Sequence, residues 1–346
     1  MAAAVGLLPV LVFLLALISL DSYKLVPLGR VLLLLAAGVA AAGLALLVNR
    51  ALAGALALDP KTLVRYVAPL VEETIKGAVV VVLIARRRVG FLVDAAIAGF
   101  AVGAGFAAAE NLHTMLVLPD ARPALWLVRG FGTAIMHGGV TASLAIGAKT
   151  FADRRRGGLA PVFLPGWLLA VAVHSSFNHF FVGPDLQTLA VLVVLPVLFF
   201  LVFRVSEGRT RAWLGTGFDT DAELLELVHS GRVSTTPIGA YLESVREHFS
   251  PTTVADMICL LRLRLELSLR AKGILILRQA GAVPRPDPEI EEKFTELRFL
   301  ESSIGPTGLA ALRPIFNFSD QDLWQFHMLA GSSGPKSAAR RRASGS

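Results

Sequence analysis

Residues 67–85 read VAPLVEETIKGAVVVVLIA, a run that is apolar enough to cross a membrane and still carries Glu72, Glu73 and Lys76. A membrane-spanning helix needs roughly 20 predominantly apolar residues. Ionisable side chains at that depth are costly, so they usually face the interior of a helix bundle or a water-filled pocket and act there. This stretch therefore predicts a functional site inside a membrane bundle.

The composition excludes a soluble globular protein. Hydrophobic residues make up 54% of the chain and charged residues 17%, and the mean hydropathy is +0.64. We predict an all-α fold: a polytopic transmembrane helix bundle of about seven spans with a C-terminal helical cytoplasmic domain. The spans are predicted at residues 4–20, 30–48, 63–85, 90–118, 124–150, 162–182 and 186–203. The first is expected to be a retained span, because it lacks the basic flank and the cleavage site of a signal peptide.

Basic residues in the short loops predict the orientation. The arginine runs at residues 86–88 and 154–156 both follow odd-numbered spans, whereas loops after even-numbered spans carry only isolated basic residues. Cytoplasmic loops carry the excess of Lys and Arg. We therefore expect a multi-pass protein of the plasma membrane, with its N-terminus outside and its C-terminus in the cytoplasm.

Composition changes after Phe203, where charged residues become frequent. Residues 205–346 hold 17 basic and 17 acidic side chains, so the net charge of +7 belongs to the membrane half and gives no support to nucleic-acid binding. We predict a transmembrane domain over residues 1–204, a helical cytoplasmic domain over 205–330 that could bind a cytoplasmic partner, and a disordered tail over 331–346. The cytoplasmic helices are expected near residues 221–230, 238–248, 251–279, 288–303 and 306–316.

Cys259 is the single cysteine, which excludes an intrachain disulfide and a multi-cysteine metal site. Its neighbours in the sequence are apolar. A catalytic thiol is conceivable at such a position, but the pattern favours a small buried hydrophobic residue in a reducing compartment.

The acidic pair can support catalysis, a structural ion pair or transport. Residues three or four apart share a helix face, so Lys76 lies beside both acids, while Glu72 and Glu73 differ by about 100° around the axis. A nearby cation and a second acid allow one carboxylate to stay ionised and act as a base toward water. The same residues could instead join two helices, or relay protons or ions in a transporter.

Three other spans carry polar residues that could join this cluster. Glu110 shares a face with Phe106 and follows a run of glycines that favours close helix packing. His137 lies near the middle of the fifth span, and His174 and Asn178, four residues apart, share a face of the sixth. Each could be a packed structural residue, but imidazoles transfer protons and amides stabilise developing charge. From the helical rise, their depths let them meet in the middle to outer half of the membrane.

In this order the motifs resemble those of the PrsW intramembrane proteases, which belong to the superfamily of type II CAAX prenyl endopeptidases and bacteriocin-processing enzymes. The resemblance covers about residues 60–182. It rests on the EExxK motif at residues 72–76, the FxxxEN motif at 106–111, the membrane histidine His137 and the HxxxN motif at 174–178.

The resemblance implies that the chain is a peptidase that hydrolyses a peptide bond in or beside a membrane-embedded substrate, with glutamate and histidine activating water. By position, Glu72 or Glu73 would be the general base, and Lys76 would stabilise the pair. Glu110 and His137 would help to bind or polarise the water.

The sixth span and the remaining motif residues receive roles from the same resemblance. His174 with Asn178 would stabilise the oxyanion, while Phe106 and Asn111 would support the site. The substrate class of the family implies a single-span membrane protein similar to an anti-sigma factor, cut near its outer side.

Metal dependence is left open by the resemblance, since relatives are called metalloproteases while the superfamily chemistry is also described as metal-free. The His-Glu-x-x-His zinc helix is missing from the sequence, and we expect no tightly held zinc. If a divalent metal such as zinc binds, the resemblance and the chemistry of zinc ligands favour Glu110, His137 and His174.

A proton- or ion-coupled transporter is the alternative function, since it could use the same intramembrane acids and histidines. The internal repeats typical of transporters are not evident in the sequence. A membrane scaffold, with the polar residues holding helices together, is a third reading.

Overall fold

A computed structural model describes residues 2–154, 159–285, 287–315 and 319–332. Within these ranges the chain is helical and forms no strand, which confirms the predicted all-α class. The chain divides into two compact units, Met1–Gly208 and Arg209–Ser346. Most of the tail predicted to be disordered, residues 333–346, lies outside the described residues.

The N-terminal unit is a bundle of long helices that correspond to the predicted spans. They are α1 (Ala2–Leu20), α2 (Leu28–Ala55), α3 (Ala68–Ala85), α4 (Leu92–Val117), α5 (Ala134–Arg154), α6 (Leu159–His179) and α7 (Pro184–His229). Helix α7 extends beyond Gly208, so its residues from Arg209 onward belong to the C-terminal unit. Shorter helical turns cover Pro60–Thr62 and Pro123–Leu127.

Among the described residues, five helical stretches are long and apolar enough to cross a membrane: Ala3–Leu20, Leu28–Ala55, Leu92–Val117, Pro123–Arg154 and Pro184–His229. The predicted membrane bundle is therefore confirmed. The count of seven spans stays a prediction, because α3 and α6 are not among these five. Helix α3 carries the three ionisable residues Glu72, Glu73 and Lys76 in its middle.

Two π turns interrupt the regular α-helical pattern shortly before the EExxK motif and before His137. Asp59 is the N-cap of the short helix Pro60–Thr62, which precedes the first π turn, and it accepts hydrogen bonds from the backbone N–H groups of Lys61 and Thr62. The first π turn, Leu63–Val67, then leads directly into α3, and the second, Val128–Thr133, leads into α5. Single π turns inside helices are frequent at functional sites.

Helix α4 is the centre of the N-terminal unit, and its small residues let neighbouring backbones come close. A Cβ atom on Gly103 would lie 2.3 Å from the His137 carbonyl oxygen, and one on Gly105 would lie 2.1 Å from that of Leu35. Only glycine fits such approaches. The predicted packing role of the glycine face is therefore correct, and it fixes the backbone of His137 against α4.

The seventh predicted span and the first predicted cytoplasmic helix are one continuous helix, α7, although the sequence analysis expected a break between residues 203 and 221. Its glycines in this region do not end it. Glycine lowers helix propensity by only about 1 kcal/mol, and proline, the stronger breaker, occurs inside the helix only at Pro196.

The C-terminal unit continues with α8 (Pro237–Arg246), α9 (Pro251–Gln279), α10 (Glu289–Ala311) and α11 (Asp320–Ser332), and a 3₁₀ turn covers Arg232–Thr235. Helix α10 is interrupted at Gly305, whose φ of 71° and ψ of 172° are not helical, where the sequence analysis expected a break between the segments 288–303 and 306–316. Helix α11 was not predicted. Cys259 is half-buried and packs against the apolar core of this unit, in agreement with its reading as a small hydrophobic residue.

Candidate active site

Four helices bring most of the predicted site residues together. Helix α3 supplies Glu72, Glu73 and Lys76, α4 supplies Phe106 and Glu110, α5 supplies His137, and α6 supplies His174. The His137 and His174 rings lie in an edge-on contact, with centroids 4.7 Å apart.

Glu73 is the anchor of the cluster. Its Oε1 accepts hydrogen bonds from Lys76 Nζ at 2.6 Å and from His174 Nδ1 at 2.7 Å, and Glu73 and Lys76 are both fully buried. An ionised carboxylate only accepts hydrogen bonds, so the proton of a neutral His174 ring lies on Nδ1. The Nε2 atom of His174 is then free to accept a proton or bind a metal.

His137 lies between a cation and a carboxylate. Lys76 Nζ is 3.0 Å from His137 Nδ1, and Glu110 Oε2 is 3.0 Å from His137 Nε2. Because an ammonium group has donors and no acceptor, Nδ1 accepts from Lys76, and the ring proton lies on Nε2 beside Glu110. Lysine and glutamate together therefore select one tautomer of His137.

Glu72 is the more accessible acid of the pair. Its side chain is 15% exposed, whereas that of Glu73 is 0% exposed. Glu72 Oε1 accepts a weak hydrogen bond of 3.3 Å from Asn49 of α2, and Oε2 lies 3.9 Å from His174 Nε2, too far for a direct hydrogen bond. A water molecule can approach Glu72 more readily than it can approach Glu73.

The Phe106 ring packs against Lys76 and His137 at the edge of the cluster. The Lys76 ammonium lies 4.8 Å from the centre of the Phe106 ring, within the range of a cation–π interaction. The same ring lies 5.2 Å from His137. This contact is consistent with the supporting role predicted for Phe106.

Two residues that the sequence analysis did not single out contact the predicted acids. One is Asn49, at the end of α2. The other is Arg129 in the second π turn, whose Nη2 donates to Glu110 Oε1 at 2.9 Å and whose Nε donates to Asn111 Oδ1 at 2.8 Å. An arginine inside a predicted span is itself a signal of function, and that signal was available in the sequence.

Asn178 is not brought to the Glu–His cluster. Its side-chain amide donates to the Val64 carbonyl at 2.9 Å, and Ser175 donates to the Arg65 carbonyl at 2.6 Å. Both acceptors belong to the first π turn, where the helical hydrogen-bond pattern is altered. The observed contacts therefore make α6 a support for that turn, and the role of Asn178 as an oxyanion donor stays a prediction.

A group of potential metal ligands lies inside the cluster. Glu72, His137 and His174 each offer a ligand atom, and these atoms all lie within 4.8 Å of one another. This group contains Glu72 where the sequence analysis placed Glu110. A carboxylate and two imidazoles suit zinc, and Glu73 orients His174 as outer carboxylates orient metal-binding histidines. Buried Glu73 Oε2, beside this group, also lacks a hydrogen-bond partner within the described residues, and the donor set fits a cation.

The family comparison agrees with this geometry. A family model described as PrsW family intramembrane metalloprotease matches residues 26–204, more than half of the chain, and this range contains every predicted site residue. The predicted resemblance is confirmed. No curated protein and no solved structure matches the chain.

Proposed function

We propose a mechanism for this chain from the premise that it belongs to the PrsW family of intramembrane metalloproteases: water held between Glu72, His137 and His174 cleaves a peptide bond of a membrane-spanning substrate. Membership makes the chain a membrane peptidase. The mechanism is supported by one observation above all: the partly accessible carboxylate of Glu72 meets two imidazoles, and each imidazole has one ring nitrogen held by another acid.

We assign the general base to Glu72 and the orienting role to Glu73. Glu73 is fully buried, and its Oε1 already accepts from Lys76 and His174, so a water molecule has little access to it. Glu72 keeps one oxygen directed toward His174, at 3.9 Å. This division is our proposal for the choice between the two acids that their spacing left open.

In the proposed hydrolysis, residues of the chain accept and return the proton that is transferred. Glu72 removes a proton from the water, whose oxygen forms a bond to the scissile carbonyl carbon. The C–N bond then breaks, and the proton held by Glu72 passes to the leaving nitrogen. The Lys76 ammonium, buried beside His137, supplies a fixed positive charge that stabilises the negative charge developing on the carbonyl oxygen.

Glu72, His137 and His174 are the residues that would hold a divalent metal. When bound, the ion would act as a Lewis acid on the scissile carbonyl. His137 could use Nδ1 as a ligand only if Lys76 moved, since Lys76 Nζ lies 3.0 Å from that atom. Lys76 and a metal ion therefore compete for the same lone pair of His137.

We propose a single-span membrane protein, similar to an anti-sigma factor, as the substrate, by analogy with the substrate class of the family. The loop arginines support a plasma-membrane location with the N-terminus outside and the C-terminus in the cytoplasm. Residues 205–330 are then available to a cytoplasmic partner.

The test is a cleavage assay with purified protein in lipid vesicles against a library of single-span membrane peptides. Wild type is compared with Glu72→Gln and Glu73→Gln, and with Glu247→Gln, a change at an exposed acid of the C-terminal unit, each with and without a chelator. We expect cleavage that both site variants lose and the control keeps. If wild type cuts no peptide, and the folded site variants instead alter proton or solute flux in the same vesicles, the transporter replaces the protease.

A further inference from the structure

Arg129 connects the second π turn to α4 directly, and to α1 through Asn111. Its guanidinium donates to Glu110 Oε1 and to Asn111 Oδ1, and it is 17% exposed. The Asn111 amide in turn donates to the Gly6 carbonyl of α1 at 2.7 Å. Glu110 uses its other oxygen, Oε2, toward His137 Nε2 at 3.0 Å. Arg129 is therefore one contact away from a proposed catalytic histidine.

The second π turn is what brings Arg129 to this position. In a regular α-helix, residues eight apart such as Arg129 and His137 differ by about 80° around the axis. The wider π turn rotates the chain less per residue, so it brings both side chains toward Glu110. The turn is also fixed against α1, since a Cβ on Gly130 would lie 1.9 Å from the Val5 carbonyl oxygen.

We propose that Arg129 is a positioning residue that holds the Glu110 carboxylate against His137 Nε2, and thereby keeps the Nδ1 atom of His137 directed at Lys76 and the reaction site. This inference rests on the proposed function, because it gives His137 a place in the chemistry. Arg129 does not touch the three proposed metal ligands in the described contacts; it acts on one of them through Glu110.

The two donors of Arg129 diverge in the plane of one guanidinium, which arginine supplies and lysine does not. Nε contacts Asn111, and Nη2 contacts Glu110. Lysine at this position could neutralise Glu110 as a point charge but could not also hold Asn111. A lysine variant should therefore recover part of the function and leave Glu110 less fixed.

A double-mutant cycle separates positioning from general support of the fold. Variants Arg129→Gln, Glu110→Gln and the pair are compared in the peptide-cleavage assay, with Arg122→Gln as the control. Arg122 is an exposed arginine that precedes the same helical segment. We expect Arg129→Gln to lower kcat about 10- to 100-fold with KM little changed, Arg129→Lys to recover part of it, and Arg122→Gln to have no effect.

The decisive result is the kcat of the double variant Arg129→Gln/Glu110→Gln. If Arg129 acts through Glu110, the double variant is no slower than Glu110→Gln alone, because coupled residues are not additive. Independent, multiplying effects would overturn the proposal. So would a fall in thermal stability of Arg129→Gln with kcat per folded molecule unchanged.

A second measurement does not depend on proteolysis. Protein labelled with ¹⁵N-histidine, studied by NMR in lipid without metal, reports which ring nitrogen of His137 carries the proton, with His137→Gln assigning the signal. We expect the Nε2–H form in wild type and Arg122→Gln, and a mixture of forms in Arg129→Gln. An unchanged signal in Arg129→Gln would reject the positioning role even if no substrate were cut, whereas absence of cleavage by the wild type would count against the proposed function.

Discussion

Lys76 of the N-terminal unit and Lys272 of the C-terminal unit are both buried, paired with a carboxylate and placed near an aromatic ring, and the two pairs differ in what surrounds them. In the N-terminal unit, Lys76 Nζ lies 2.6 Å from Glu73 and 4.8 Å from the Phe106 ring. In the C-terminal unit, Lys272 Nζ lies 2.6 Å from Asp221 and 5.2 Å from the Trp213 ring. A buried ion pair over an aromatic ring is therefore no mark of catalysis by itself.

The neighbours of the two pairs separate a reactive cluster from a structural one. Asp221 also accepts from the Ser268 hydroxyl, which accepts in turn from the Gln325 amide. Hydroxyl and amide groups do not change their protonation state near neutral pH. The Lys76 cluster adds two imidazoles and further carboxylates, which do. We therefore expect substitutions at the first cluster to affect chemistry and those at the second to affect folding.

The largest effect should come from Glu72→Gln, which has no counterpart in the C-terminal cluster. Removing a general base lowers kcat by about 10²- to 10⁴-fold, while the similar shape of glutamine and the weak 3.3 Å contact of Glu72 with Asn49 leave folding nearly unchanged. Peptide cleavage in vesicles measures the first and thermal unfolding the second. If Glu72→Gln unfolded at a lower temperature but still cleaved peptides at the wild-type rate, Glu72 would be a structural residue.

Removing the two lysines compares the clusters directly. Lys76→Met and Lys272→Met each leave a buried carboxylate without its cation, and breaking a buried pair costs about 3–5 kcal/mol. We expect both variants to unfold at lower temperature, but only Lys76→Met to lose cleavage per folded molecule. If Lys272→Met lost cleavage equally, the second cluster would belong to the catalytic machinery.

Gly103→Ala tests whether the backbone of His137 must stay where α4 holds it. The new Cβ would lie 2.3 Å from the His137 carbonyl oxygen, and overpacking of this kind costs about 1–3 kcal/mol. Gly43→Ala in α2 is the control, since no heavy atom lies within 4 Å of its Cβ position. We expect lower stability and slower cleavage for Gly103→Ala alone. Equal behaviour of the two variants would contradict the close packing of α4 and α5.

Sequence reasoning located the Glu–His cluster because charge inside an apolar run is costly wherever the run folds. Glu72, Glu73, Glu110, His137 and His174 were all visible on that ground, and the order of their motifs gave the family. The positions of the long helices followed from apolar length, although α2 ends at Ala55 and not near residue 48 as predicted. The continuous α7 did not, because the cost of glycine in a helix is too small to decide the matter.

The parts that sequence missed depend on register. Helical spacing assumes about 100° per residue, and the π turns at Leu63–Val67 and Val128–Thr133 break that assumption. Arg129 and His137 therefore both contact Glu110, although regular helical spacing does not place them on the same face. The replacement of Glu110 by Glu72 in the ligand group likewise depended on how four helices pack, which the spacing within one helix does not fix.

The smallest effect we expect is that of Asn178→Ala, and it decides between two roles for one residue. Asn178 and Ser175 each donate to a carbonyl of the first π turn, and losing one such bond costs about 1 kcal/mol. If support of the turn is the only role of Asn178, Asn178→Ala and the matched Ser175→Ala lower stability alike and keep kcat within a few-fold. Removing an oxyanion donor instead lowers kcat by about 10²- to 10³-fold. A loss of that size in Asn178→Ala alone would join Asn178 to the reactive cluster, because Ser175 supports the same turn and has no proposed part in the chemistry.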